Sequence, residues 1–352
     1  MEIKIYRSDL YRIGQTDNAT SLLWNRKFYE PGDFELHVPI TDENIEMLQP
    51  GNIVAKDGSK EAGIIEDIQK EETSSKNELT AKGRFLSSYM DRRLIKGIFN
   101  FTGKTEVAMQ NILTNATATS DTIIPLVELA ALNGFDDTVS FQCTYKNLLA
   151  YETKLSRSSN IGYRFYPDFV NKKIIFQTYK GTDRTFGQNV NSYVIFSEAY
   201  QNLEHPVYKY NDQMKRTLAI VGGDGEGSAR VYVTVGSGSG LALRELFVDA
   251  KDIQRGDLTN DQYLNALAQR GYEKLAENIE SESLDADVDP SINFTYKEQY
   301  DIGDIVTIEK TGWGLMTNKR ITEIQEIYEH DQMVVVPTFG DPLPTSIDWS
   351  EN

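Results

Sequence analysis

Glycines, acids and a lysine stand close together at two places in this chain, and nucleotide chemistry is the first possibility they raise. GGDGEG, Gly222 to Gly227, follows the apolar run LAIV and precedes SARVYVTV. A glycine-rich turn between a strand and a helix can hold phosphates on backbone amides. Here no lysine follows the glycines, the next segment alternates like a strand, and Asp224 and Glu226 oppose phosphate. Neither the Walker nor the Rossmann pattern is met. The spacing predicts a hairpin turn, with glycine supplying positive φ at its tip, Gly223 being one candidate. TGKTE, Thr102 to Glu106, lacks upstream glycines and predicts a helix start.

Metal and nucleophile patterns are equally sparse. DADVD places Asp285, Asp287 and Asp289 at alternate positions. A calcium loop needs glycine at its sixth position and glutamate at its twelfth, where this chain has Pro290 and Tyr296. A solvated acidic edge is the simpler expectation, with a weak cation site as the alternative. His37, His205 and His330 are far apart in sequence, and no zinc spacing exists. Cys143 alternates with apolar neighbours in VSFQCTYKNL, which predicts a buried strand thiol and not a thiolate. Paired acids for glycoside hydrolysis cannot be selected from 53 acidic residues, because their separation in space decides that chemistry. No residue qualifies as catalytic, cofactor-binding or metal-binding, and no cofactor is expected.

The elements around these residues read as mostly β. Over residues 3–90, EIKIYR and FELHVPI alternate, NIVAKDG and AGIIEDIQKE follow with Asp57-Gly58 as a turn signal, and ELTAKGRFLSSYM closes the run. TGKTEVAMQNILTN and YKNLLAYETKLSRSSN carry helical periodicity. The first presents Val107, Ala108, Asn111 and Ile112, and the second Leu148, Tyr151 and Leu155. A hairpin follows, turning at Asp168 to Asn171. RTLAIVGG and ARVYVTVG predict a long hairpin with GSGSG as its exit. LTNDQYLNALAQRGYEKLAENIES predicts a helix over 259–280, with Thr259 and Gln262 as a capping box. Its stripe is Leu264, Leu267, Gly271, Leu275 and Ile279, and Gly271 implies close packing. SINFTYK, GDIVTIEK, NKRITEIQEIYE and QMVVVPTFG predict strands near the end.

The fold class expected is mainly β with an α+β insertion, the β parts forming two barrel-like domains. The boundaries expected are 1–95 for the first, 96–195 for the inserted α+β domain, and 196–352 for the second. The formal net charge of −17 disfavours adhesion to nucleic acid or anionic lipid. One cysteine excludes an intramolecular disulfide, and no apolar stretch reaches membrane-spanning length. The N-terminus has no signal-peptide core, so synthesis in the cytoplasm is expected.

Several segments in order resemble one known family. They are LLWNRKFYEPGDFELHVPI, AGIIEDIQ, LTAKGRFLSSYMDRRLI, VIFSEAYQNLEHPVY, LAIVGGDGEGSARVYV, RELFVDAKDI, YDIGDIVTIEKTGWG and QMVVVPTFG. Together they are similar to siphophage tail proteins of the baseplate-hub type, the siphovirus Gp37-like tail proteins, also found in prophages of Gram-positive bacteria. The resemblance implies a virion component at the tail tip or baseplate, similar to the central hub of contractile-tail baseplates. It implies a homotrimer whose two β-barrel domains per subunit make a pseudo-sixfold ring. That ring would join the tail tube and distal tail protein to tail-tip or receptor-binding proteins. DNA, and the tape measure protein before it, would pass without specific binding.

The resemblance carries over no catalytic residue. A C-terminal peptidase or lysin part is expected to be absent, since the chain ends at Asn352, soon after VVVPTFG. The competing readings are a carbohydrate-binding tail-tip module and a cell-wall hydrolase. An aromatic pair flanked by amides on a sheet face would favour the first, and opposed acids in a cleft the second.

Overall fold

The computed structural model describes residues 2–73, 77–287, 292–329 and 332–341. The first part of the chain forms β1 (Ile3–Tyr6), β2 (Arg12–Thr16), β3 (Ser21–Lys27), β4 (Asp33–Pro39), a short helix α1 (Asp42–Met47), β5 (Ile53–Lys56), β6 (Gly63–Ile64), β7 (Asp67–Glu72) and β8 (Asn77–Arg84). The middle holds β9 (Ile98–Lys104), α2 (Thr105–Ala116), β10 (Val127–Leu129), β11 (Thr138–Thr144), α3 (Leu148–Ser159), β12 (Gly162–Asp168), β13 (Lys173–Tyr179) and β14 (Asp183–Arg184). The rest forms β15 (Ile195–Ser197), β16 (Glu204–Asn211), β17 (Leu218–Gly222), β18 (Tyr232–Gly236), β19 (Glu245–Asp249), α4 (Asn260–Glu277), β20 (Ser281–Asp287), β21 (Ile305–Lys310), β22 (Leu315–Glu329) and β23 (Gln332–Asp341).

An open sheet of 11 strands joins the two ends of the chain, in the order β16-β20-β23-β22-β3-β4-β8-β7. The long strand β22 holds it together. Its first half pairs with β21, which pairs in parallel with β14 and β15. Its second half lies between β23 and β3. The barrel expectation is overturned here, because among the described residues no sheet closes on itself. The large sheet ends at β16 on one side and β7 on the other. Alternation in FELHVPI correctly reported one covered face, but closure depends on pairing of the first and last strands, which alternation does not encode. The mainly β character and the α+β middle segment stand.

A second sheet, β2-β1-β5-β6, lies between two cores. Val54 joins Ile3, Ile5, Trp24, Phe34 and Leu36 in one. Its neighbours Ile53 and Ala55 face the other, with Ile112, Leu113, Leu155 and Phe165. Residues 53–55 are consequently all buried and read as a short apolar run. The middle segment thus shares its core with the first.

The helices follow from their sequences with specific departures. In α2 the covered face is Ala108, Met109, Ile112, Leu113 and Ala116, and Asn111 is exposed. Leu148, Tyr151 and Leu155 are buried in α3 as the spacing requires. In α4 the Thr259–Gln262 capping box forms in both directions. Leu267 and Gly271 are buried, but Ile279 lies beyond the helix end and is exposed. A Cβ at Gly271 would come within 2.4 Å of a Val235 methyl and 2.8 Å of a Val221 methyl. The glycine is what lets the helix lie against β17 and β18. The described part of SINFTYK is a correction: residues 292–294 form bends, not a strand, and Tyr296 meets Tyr300 in an isolated bridge. Its two ring residues, Phe294 and Tyr296, both pack on one core without strand pairing of the segment.

Candidate functional site

Two places concentrate chemistry-bearing side chains: a buried ionic network, and the exposed face of the β18-β17-β19 sheet. The network begins at Arg26 on β3, which is 4% exposed. Its Nε and Nη2 donate to the two Glu61 oxygens at 3.2 and 3.1 Å. Nη1 donates to the Tyr296 hydroxyl at 2.9 Å and to the Asp301 carboxylate. Arg164 reaches the same Glu61 oxygen at 3.4 Å. The Tyr296 hydroxyl donates onward to Glu326 on β22 at 2.9 Å. The other Glu326 oxygen accepts from Lys56 at 2.6 Å and from Tyr328 at 2.7 Å.

Each charge here has a counter-charge and hydrogen bonds, as a buried ion requires. Burial would raise the Glu61 carboxyl, yet Arg26 and Arg164 overcome it and hold the group at about 2. Burial likewise opposes ionisation of Glu326, and Lys56 and Lys297 hold it at about 2. Burial brings Lys56 down to about 8, against the pull of Glu326. Carboxylates so firmly ionised cannot donate protons near neutral pH. The network therefore ties β3, β5, β22 and the 296–301 turn together, and its carboxylates Glu61 and Glu326 offer no acid for catalysis.

The second place answers the question raised by GGDGEG. β17 and β18 form the expected antiparallel hairpin, with Gly222 opposite Tyr232. Positive φ falls at Gly225 (99°) and Gly227 (56°), and Gly223 is not among the left-handed residues. Gly223 serves another purpose. A Cβ there would sit 2.3 Å from the Tyr263 hydroxyl and 2.8 Å from a Leu267 methyl of α4. That hydroxyl accepts the Asp224 amide at 2.7 Å. Gly223→Ala is accordingly expected to cost about 1–3 kcal/mol by overpacking, read as a lowered urea midpoint with an unchanged slope. Calorimetry with ATP, GTP and NAD in the presence of magnesium is expected to show no saturable heat in either protein.

Gly222 makes room on the opposite face. A Cβ at this position would meet the Arg230 guanidinium carbon at 2.7 Å. Arg230 lies flat there, donating to the Gly222 and Gly223 carbonyls at 2.8 and 3.0 Å and to Asp249 at 2.6 Å. Its guanidinium is 5.7 Å from the Tyr232 ring centre and 5.5 Å from that of Phe247.

The remaining sequence candidates separate. Cys143 is buried on β11, and its thiol is pushed up to about 12 by burial and by nearby Glu273. Lys104 pairs with Asp136 at 2.6 Å, and α2 starts at Thr105. Asp285 is held by Lys209 at 2.8 Å. Glu280 and Glu282 are paired with Lys215 and Lys319. Of the three DADVD acids, Asp285 is therefore lysine-paired, and the Asp287 side chain lies outside the described part of the chain. Asp289 and His330 lie outside the described residues. Both His37 ring nitrogens are engaged, with Glu35 at 2.8 Å and Glu78 at 3.0 Å, and four strands separate β4 from β16, which carries His205. Among the described residues no group of three His, Cys, Asp or Glu could hold a metal ion, and no helix is long and apolar enough to cross a membrane.

A model of the Siphovirus ReqiPepy6 Gp37-like protein family matches residues 2–341. The chain belongs to this family of siphophage tail proteins. No curated protein matches it by sequence. Its fold is similar to solved tail proteins of low identity. The 43 kDa tail protein of prophage MuSo2 from Shewanella oneidensis is 14% identical, with 96% of this chain and 98% of that one covered and a TM-score of 0.61. A tail protein from Neisseria meningitidis MC58 is 13% identical, with 96% of each chain covered and a TM-score of 0.59. The prophage tail protein gp18 of Listeria monocytogenes EGD-e is 12% identical, with 97% and 94% covered and a TM-score of 0.56.

One cleft in this Gp37-like chain bears on hydrolysis. It measures about 580 Å³ and is lined by Lys27, Glu30, Asp33, Lys154, Glu273 and Glu277, among others. Burial raises Glu273, whose side chain is only 1% exposed at the cleft wall. Burial opposes ionisation of Glu277, while Lys154 at 3.0 Å and Lys274 at 2.7 Å hold its pKa below the usual range. Glu152 on α3 is fully buried, and neither of its oxygens has a hydrogen-bond partner among the described residues. Burial pushes its pKa well up, which leaves it a neutral packing group.

Proposed function

We propose that the chain is a structural, non-catalytic hub of a siphophage or prophage tail. It forms a homotrimeric ring that joins the tail tube and distal tail protein to tail-tip or receptor-binding proteins. The tape measure protein and then DNA pass through that ring. Three units are proposed, with residues 1–95 and 196–352 in the ring and 96–195 at its periphery.

The observation that carries this reading, beyond the family, is strand β16. It pairs only with β20 among the described residues, and its other edge is free. Val207, Tyr208 and Tyr210 are all exposed on it. A free edge exposed on both faces is a liability in a monomer and a joint in an assembly. At the opposite end of the sheet, β7 likewise pairs only with β8 among the described residues, so head-to-tail contacts between copies can close a ring. The net charge of −17 supports a channel to which DNA does not adhere. Glu282 and Asp285 on β20 are lysine-paired, so unpaired channel acids are expected elsewhere on the ring.

Light scattering of the pure protein tests the assembly. The expected mass is about 120 kDa, three copies of 39.9 kDa. A 39.9 kDa species at the highest attainable concentration would overturn the self-assembling ring.

A further inference from the structure

The open face of the β18-β17-β19 sheet has the makings of a ligand shelf, independent of the hub reading. Tyr232 is 53% and Phe247 56% exposed. They stand on the two outer strands, and their β17 partners Gly222 and Ile220 point to the same face. Arg230 fills the gap over Gly222 within cation–π range of both rings, as the distances above place it. Three hydrogen bonds fix its guanidinium, so the shelf is rigid before any ligand arrives. The opposite face of the sheet is already covered by α4.

We propose that this shelf binds a neutral pyranose oligosaccharide. A sugar ring offers an apolar face for stacking and an equatorial rim of hydroxyls for hydrogen bonds. The rings of Tyr232 and Phe247 supply the first surface. The exposed carboxylate of Asp249 and the exposed hydroxyl of Thr234 border it and supply acceptors and a donor. Neutrality follows from the charges. Arg230 is already matched by Asp249, while Asp224, Glu226 and Glu245 around the shelf repel anions.

Size argues in the same direction. Three strands of five residues cover roughly 17 by 14 Å, or on the order of 240 Å². A stable protein contact needs about 800 Å² per partner. The shelf is thus large enough for a few sugar rings and too small to hold a protein by itself. The flanking amides expected of a sugar site are replaced here by a carboxylate, a hydroxyl and a guanidinium.

The test is titration calorimetry of the full chain with cello-, malto- and N-acetylchito-tetraose. Saturable binding of at least one is expected, with little change when salt is raised. Tyr232→Ala and Phe247→Ala should each weaken it roughly three- to tenfold, and Tyr232→Phe should not. Thermal melting of each variant reports whether the fold is kept. The proposal is overturned if none of the three sugars binds, or if the double alanine variant, still folded, binds equally well. It is also overturned if the alanine variants lower the mass in solution, which would make the face a contact between copies.

Discussion

Arg26→Met is expected to destabilise the folded chain by about 3–5 kcal/mol, the range for stranding one half of a buried ion pair. The substitution leaves Glu61 with only Arg164 at 3.4 Å as a cationic partner, in a site where its side chain is 7% exposed. It also removes the donor to Tyr296 and Asp301. Arg26→Lys keeps the charge but cannot form the two-pronged contact to Glu61, so an intermediate loss is expected. The informative comparison is Arg26→Met with Glu61→Met. Replacing both charges by apolar groups removes the stranded carboxylate, and most of the loss should return. Urea midpoints of the four proteins measure this. A loss below 1 kcal/mol in the single variant would show that the network is wetter than its burial implies.

Residues that interact locally were legible in the sequence, and residues that interact across the chain were not. The Thr259 capping box needs only positions three apart, and it forms as read. Gly271 announced close packing because glycine is costly within a helix, and Val221 and Val235 do approach it. Arg26 carried no such sign. Its partners are 35, 270 and 275 residues away, and each alone is an ordinary surface-type residue. Only the pairing of β22 with β3 brings Glu326 and Arg26 into one network.

The barrel error has a related cause. Hydrophobic alternation reports which face of a strand is covered, not which strand lies beside it. The shelf illustrates a third case. Gly222 looked like a turn glycine, but it leaves space for Arg230, whose side chain arrives from 8 residues further along the hairpin.

Acidification should expose the same network through a second route. Glu61 and Glu326 fall from an ordinary value of 4.5 to about 2 in the folded chain. A carboxyl depressed on folding contributes stability that is present above its unfolded pKa and is lost as pH falls through the folded one. Both contributions should therefore be complete above about pH 4.5 and vanish toward pH 2. Shifts of this size correspond to roughly 3 kcal/mol per group, an upper figure since the two share one network. Glu152 acts with the opposite sign. Burial raises it, so the unfolded chain gains by ionising where the folded chain does not, and its penalty disappears on acidification. Glu273, Asp304, Glu323 and Asp341 are raised by burial in the same sense. The profile of the native protein is the sum of both kinds, so the difference profile of Glu326→Gln isolates one depressed carboxyl. That variant should be a few kcal/mol less stable at pH 7 and converge on the native protein near pH 2. Lys56, already brought to about 8 by burial, can shed its proton once its anion is gone, which limits the loss at neutral pH. Parallel curves for the two proteins between pH 5 and pH 2 would show that Glu326 is not held ionised by Lys56 and Lys297, and the network would lose its role as the tie between β5 and β22.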